Sequence, residues 1–547
     1  MPSKQRKAGI LLPISSLPSR YGIGDFGTGA YKFAEFLHSA GQSMWQILPL
    51  TAIDSGCGNS PYSPTSAFAG NYIFVSPEIL AEQNLISRDA LNNLAKKYDF
   101  DENIETANYE NARKFKIEVM NIAFENFKKN NISDFENFCL KSREWLDVFS
   151  LFITLKNFNN GLAWYDWPDE FKFRDKTAIN NFKNEHREEI SRQNFYQYVF
   201  FKQQARLKKY LNSLNIELVG DIPLYVTRDC ADVWEYPAFF NLDDKLNPIT
   251  VAGVPPDYFS ETGQLWGNPT YNWDNLERWG FAWWLKRLTH SMKLFDRVRI
   301  DHFRGLVAYW AVPYGESTAK NGEWVQVPYK KFFGCLLQNF PDMPFWAENL
   351  GIITPDVEEL RKNFKLPGML ILHFAFSDPA NNPYAPHNHT RDNVIYTGTH
   401  DNNTSRGWFR NDASEQELKN FSAYIGRDAL DEYIFTSEIV RMAVSSVADN
   451  AIIQMQDYLR LGPEARINVP STASGNWTWR MRPDALSEGL AGRIRDACKL
   501  YGRNYIRLAI RMWSFFRMHD CILCMDSRIG RRPSGRDFAE SAKSLPE

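Results

Sequence analysis

Residues 297–302 read Arg297-Val298-Arg299-Ile300-Asp301-His302, a short run in which apolar side chains lead into a carboxylate and an imidazole. Such a run reads as a strand buried on both faces that delivers a polar residue at its end. Arg299 lies two residues before Asp301, so a strand puts both on one face, where a fixed positive charge keeps the carboxylate ionised and aligned. Seven other runs share this form: Gly9 to Ser16, Ser43 to Leu50, Ile216 to Val226, Met343 to Leu350, Met369 to Phe376, Val394 to His400 and Ala451 to Leu459. Helical patterns follow many of them, as at Tyr31 to Ser39. Eight continuously apolar strands separated by helices predict an α/β fold, a parallel (β/α)8 TIM barrel whose function sits at the C-terminal strand ends. Asp221, Asp301, Glu348, Asp401 and Asp457 each stand near such an end.

Between Leu50 and Ile216 the chain is far longer than one crossover helix, so much of it reads as inserted structure. Residues 76–200 are rich in Asn, Lys, Glu and Phe at helical spacing, for example over Ala112 to Asn126 and Glu136 to Asn157. The expected organisation is a barrel built from 1–75 and 201–503, a mostly helical subdomain over 76–200 between strands 2 and 3, and a C-terminal extension over 504–547. Charge runs such as Glu185 to Arg192 read as solvated helix faces.

Composition narrows the chemistry. Hydrophobic residues make up 44% of the 547, and aromatics 15%, which excludes a disordered chain. A net charge of −2 offers no broad electropositive face for nucleic acid, and a neutral substrate suits it better. Seven cysteines without regular spacing do not form a disulfide framework, and Cys521/Cys524 has no second pair with which to bind zinc. Ile10-Leu11-Leu12 is broken at once by Pro13, too short for a signal peptide, and no run approaches the ~18 apolar residues that span a bilayer. The expectation is a cytoplasmic protein with no metal and no membrane or nucleic-acid partner.

Three carboxylates carry the functional reading: Asp301, Glu348 in Phe345-Trp346-Ala347-Glu348-Asn349, and Asp401 in Thr399-His400-Asp401-Asn402. Cleaving a glycosidic bond with retention needs one carboxylate as nucleophile and another held protonated as acid, with the two groups roughly 5–5.5 Å apart. Asp301 suits the first role. Glu348, after an apolar tripeptide, suits the second because less polar surroundings raise a carboxyl pKa. Asp401 is cast as a third carboxylate that accepts hydrogen bonds from sugar hydroxyls and favours a distorted ring. No cofactor is required by this chemistry.

The residues resemble the amylomaltases, or 4-α-glucanotransferases, of the α-amylase clan, over most of 9–503. The clan's short regions correspond to Gly220-Asp221-Ile222-Pro223, Arg299-Ile300-Asp301, Ala347-Glu348-Asn349 and Thr399-His400-Asp401. More specific are Ser60-Pro61-Tyr62, Ser66 to Asn71, Gly253-Val254-Pro255-Pro256-Asp257, Gln264 to Pro269 and Arg299 to Gly305. The resemblance implies transfer of α-1,4-glucan segments to glucose or a maltooligosaccharide, with Asp301 as nucleophile, Glu348 as acid/base and Asp401 as stabiliser. It also implies that Tyr62 packs against the donor sugar, with Asp221, Arg299 and His400 around it and His302 and Asn468 near the sugars. Val254 to Trp266 is similar to the family's flap, placing Tyr258 and Trp266 on the acceptor side. Asn349 stands where the family has Asp, Arg460 and Ser471 stand where Gly is common, and the segment from Asn504 has no family counterpart. Two other readings stay open: an α-glucan hydrolase with water as acceptor, and a non-catalytic glucan-binding protein on the same scaffold.

Overall fold

The computed structural model describes residues 5–53, 55–98, 100–129, 133–256, 260–472 and 474–503. The expected extension over 504–547 lies outside them, as does Tyr258. Eight parallel strands form one sheet: β1 (Lys7–Leu11), β2 (Met44–Gln46), β3 (Glu217–Ile222), β4 (Arg297–Ile300), β5 (Phe345–Ala347), β6 (Gly368–Ile371), β7 (Asn393–Tyr396) and β8 (Asn450–Gln454). Their order is 6-7-8-1-2-3-4-5. The two ends approach each other where the Ala347 N–H donates to the carbonyl of Pro367, just before β6, at 2.9 Å. This is the (β/α)8 barrel, built from all eight nominated runs.

The strands are so short because each run bends out of the ladder at the mouth of the barrel. His302 takes a left-handed conformation (φ 49°) directly after Asp301, and a 3-10 turn over Phe303–Leu306 follows. Comparable turns over Ile14–Ser16 and Leu372–Phe374 follow β1 and β6. Side chains such as Ile10, Val219, Val298, Ile395 and Ile452 are fully buried, as residues covered on both sheet faces must be. Gly220 in β3 is required by close packing: a Cβ there would sit 2.2 Å from the Phe295 ring.

The eighth nominated run, Ala451 to Leu459, is extended only as far as Gln454. Asp457 belongs to a short helix, Met455–Leu459, and its carboxylate accepts from the Ser405 N–H at 2.7 Å and from the Thr397 hydroxyl. It is 2% exposed and engaged inside the fold, unlike Asp301, whose side chain keeps 29% of its surface open.

Among the described residues, seven α-helices lie between β2 and β3, the longest being Tyr109–Phe127, Ser133–Phe158 and Arg187–Ser213. Much of the aromatic content packs them together, as in Phe127 against Phe195 (4.8 Å between centroids) and Phe138 against Tyr198 (5.7 Å). Gln197 of the last helix clasps the backbone of Gly70, accepting from its N–H at 2.8 Å and donating to its carbonyl at 2.9 Å. That clasp fixes the loop carrying Tyr62. A separate four-stranded antiparallel sheet, in the order Gln264–Pro269, Thr250–Val254, Ala308–Pro313, Glu323–Gln326, carries Trp266 on its outermost strand. Among the described residues no helix is long and apolar enough to cross a membrane.

Candidate active site

Register brings the acids together. In the ladder between β3 and β4, Asp221 lies opposite Arg299, and between β4 and β5 Ile300 lies opposite Ala347, so Asp301 and Glu348 leave adjacent strands at the same level. The Glu348 N–H donates to the Ile300 carbonyl (3.1 Å), and the Asp301 N–H to the Ile222 carbonyl (3.0 Å). Three strands thus present their carboxylates from a common rim.

Arg299 is the hub. Its guanidinium donates to both oxygens of Asp221 at 2.7 and 2.9 Å and to Asp301 Oδ1 at 2.8 Å, with Nε against Met369 Sδ at 3.4 Å. The Arg299 and Asp221 side chains are sealed, whereas Asp301 keeps 29% of its side-chain surface open. The arrangement leaves the carboxylate that must react accessible, and a bound positive charge behind it. Burial pushes the Asp221 carboxyl up to about 6, against the pull of Arg299.

Tyr62 continues the chain of contacts, donating its hydroxyl to Asp221 Oδ2 at 2.9 Å and stacking on His400 with 5.1 Å between centroids and 14° between planes. His400 Nε2 lies 3.2 Å from Asp401 Oδ2, and Asn468 Nδ2 donates to Asp401 Oδ1 at 2.6 Å. Burial alone would raise the Asp401 pKa, but His400, Asn468 and Arg299 outweigh it and hold the carboxyl well below the usual range. In return, Asp401 raises His400 against the effect of burial. Asp401 is therefore a fixed negative charge.

Glu348 is held differently. Its carboxyl accepts from two backbone N–H groups, His302 (2.8 Å) and Leu350 (2.8 Å). Burial, with the negative charge of Asp301, still outweighs Arg299 and these hydrogen bonds, pushing its pKa up to about 7. A carboxyl so placed exchanges its proton near neutrality, as a general acid/base must. His302, neutral because burial lowers its pKa to about 4, meets the edge of Trp266 at 4.8 Å. Trp266 itself is 38% exposed, a face free for stacking.

Every expected site residue within the described part thus joins one cluster: Asp221, Arg299, Asp301, Asp401, Tyr62, His400 and Asn468 by direct links, Glu348 through the His302 N–H, and Trp266 through the His302 ring. Sequence reasoning missed two neighbours. Arg466 donates to the Asp401 carbonyl (2.8 Å) and to the Asn468 carbonyl (2.7 Å), and Trp477 lies 5.8 Å from Tyr62 and 6.0 Å from His400. Arg466 sits two residues before Asn468, but nothing in its surroundings marks it. Asn349 also has a visible reason. Its Oδ1 accepts from the Met369 N–H at 2.7 Å while its Nδ2 donates to Glu358 Oε1 at 2.6 Å, a task that needs an amide.

The model of the 4-alpha-glucanotransferase family matches residues 12–486. The chain is 46% identical to the 4-alpha-glucanotransferase of Aquifex aeolicus over 498 residues, covering 91% of this chain and 99% of that one. It is 44% identical to the Clostridium butyricum enzyme of the same description over 491 residues, covering 90% and 99%. Among solved structures, the amylomaltase from Streptococcus agalactiae in complex with acarbose superposes with a TM-score of 0.87 at 35% identity, covering 91% of this chain and all of that one.

Proposed function

The chain belongs to the 4-alpha-glucanotransferase family, and from that premise we propose that it moves α-1,4-glucan segments between maltooligosaccharides by a retaining double displacement centred on Asp301. Asp301 attacks the anomeric carbon of the donor while protonated Glu348 gives its proton to the departing glycosidic oxygen. The C–O bond to the leaving glucan breaks, a bond to the Asp301 carboxylate forms, and a glycosyl-enzyme results. Glu348, now ionised, takes the proton from the 4-hydroxyl of an incoming glucan or glucose, which attacks the same carbon from the vacated side and releases Asp301. Asp401, kept ionised by His400 and Asn468, accepts hydrogen bonds from donor hydroxyls and stabilises the positive charge that develops on the ring. Tyr62, Asp221, Arg299, His302, His400 and Asn468 surround the donor sugar. Trp266 and Tyr258 stack on the acceptor and help exclude water, which favours a sugar over hydrolysis.

The observation that carries this reading is the unbroken chain of contacts from Asp301 through Arg299, Asp221, Tyr62 and His400 to Asp401, with a proton-exchanging Glu348 beside its start. No step calls for a cofactor. Residues 76–200 are read as the helical insertion between strands 2 and 3, and the place of action as the cytoplasm. The test is incubation with maltotriose. Transfer yields glucose and a ladder of longer chains at constant total reducing ends, hydrolysis raises the reducing ends, and a binding protein changes neither. Asp301→Asn abolishes the ladder; a ladder that persists removes Asp301 from the nucleophile's role.

A further inference from the structure

A second cavity, of about 600 Å³, opens between the helices Ser133–Phe158 and Ala282–Leu294 and the short helix Ala231–Glu235. None of the clustered residues described above lines it. Its volume lies within the range of small-molecule sites. Its walls are aromatic: Trp145 comes from the first helix, Trp283 from the second, and Tyr236 and Trp279 from the segments that precede the second. Trp279 leaves 68% of its surface in water, an apolar face for which the fold itself has little use.

Among the described residues, a histidine and a tryptophan on these walls each hold a neutral polar atom without a protein hydrogen-bond partner. His290 is only 8% exposed, and its Nε2 lies 2.9 Å from the Phe68 carbonyl. A carbonyl only accepts, so Nε2 carries the proton and Nδ1 is a bare acceptor, without a hydrogen-bond partner among the described residues. Burial lowers the His290 pKa to about 4, so the ring keeps this form at neutral pH. Trp145 packs edge-on against that imidazole at 5.3 Å, and its indole N–H has no hydrogen-bond acceptor among the described residues. Two of the acids on these walls are occupied. Asp232 accepts from Trp283 Nε1 at 3.1 Å and from the Ala67 N–H at 2.8 Å, and Glu144 pairs with Lys286 at 3.2 Å across the rim.

We propose that this cavity is a second binding site for α-1,4-glucan, distinct from the catalytic cleft and resting, for its ligand class, on the reading of that cleft. A glucose ring offers apolar C–H faces to the tryptophans, a hydroxyl to donate to His290 Nδ1 and an oxygen to accept from Trp145 Nε1. A wholly apolar occupant would leave both groups unpaired, and an ionic one would meet a rim of mixed charge. Holding a long chain here raises its effective concentration at the cleft without adding a catalytic contact.

The test is calorimetric titration of the Asp301→Asn protein with maltoheptaose, compared with the same protein carrying Trp279→Ala or Thr289→Trp. The first substitution removes an exposed platform, and the second fills the cavity from an exposed position on its wall. Both cavity variants are expected to lose one equivalent of bound maltoheptaose and to keep the remaining affinity, while the single variants on an active background disproportionate maltotriose at rates within about 2-fold of the parent. Isotherms that superimpose on those of Asp301→Asn alone overturn the proposal. Because maltotriose disproportionation reads the cleft by itself, that failure is distinguishable from a failure of the catalytic reading.

Discussion

Replacing Arg299 by Met strands two carboxylates at once. Asp221 loses both hydrogen bonds from the guanidinium, and its side chain is fully sealed, so no water can substitute. Asp301, 29% open, recovers solvation in part. Removing one partner of a buried pair costs roughly 3–5 kcal/mol, most of it the penalty of the uncompensated charge. Arg299→Met is therefore expected to lower unfolding free energy by that amount in a guanidinium titration, and Asp221→Asn added to it should restore part, with a coupling of roughly 0.5–3 kcal/mol. Catalysis gives an independent reading. Arg299 is the strongest influence opposing burial at Glu348, so its loss moves that pKa further above about 7 and the alkaline limb of any residual transferase activity moves up with it. A cost below about 1 kcal/mol, a double variant less stable than the sum of the singles, or an alkaline limb that moves down would refute the electrostatic account of the hub.

Further outcomes are expected. Transferase activity on maltotriose falls as pH rises through about 7, where Glu348 loses the proton that the leaving group needs. A carboxyl raised from its ordinary 4.5 binds its proton more tightly folded than unfolded, so stability declines with rising pH across that window, and the margin of Glu348→Gln over the parent grows between about pH 4.5 and 7 in thermal melts. Asn468→Ala removes a charge-assisted hydrogen bond to Asp401, worth about 1.5–3 kcal/mol, and is expected to lower kcat/KM roughly 10- to 100-fold with the melting midpoint little changed. Asn349→Asp sets a carboxylate against Glu358 and lowers the melting midpoint, and Glu358→Gln restores it. Gly220→Ala drives a methyl into the Phe295 ring at a cost of about 1–3 kcal/mol, relieved by Phe295→Leu in the same denaturation assay.

The barrel was legible because strands covered on both faces must be continuously apolar, and each of Ile10, Val219, Val298, Ile395 and Ile452 advertises that burial in one dimension. Strand ends were less legible. The turn at His302 depends on a left-handed φ that nothing in Arg297 to His302 announces. Asp457 misled for a related reason, since an acid after an apolar run looks the same whether it faces a cleft or, as here, caps buried groups around Ser405 and Thr397.

The sequence by itself determined which residue types stand at the strand ends and which family pattern they follow, because strand periodicity and motif spacing are local properties of the chain. Its apolar neighbours nominated Glu348 as the acid, but only the tertiary structure supplies the burial and partners that separate its proton affinity from those of the other acids. Glu348, Asp401 and Asp221 have the same kind of side chain, and their pKa values diverge through burial and through the partners that the fold sets against each: Arg299 from the neighbouring strand against Asp221, His400 and Asn468 around Asp401, the His302 and Leu350 amides beneath Glu348. Charge acts through space and solvent exclusion, and neither exists until the barrel has closed.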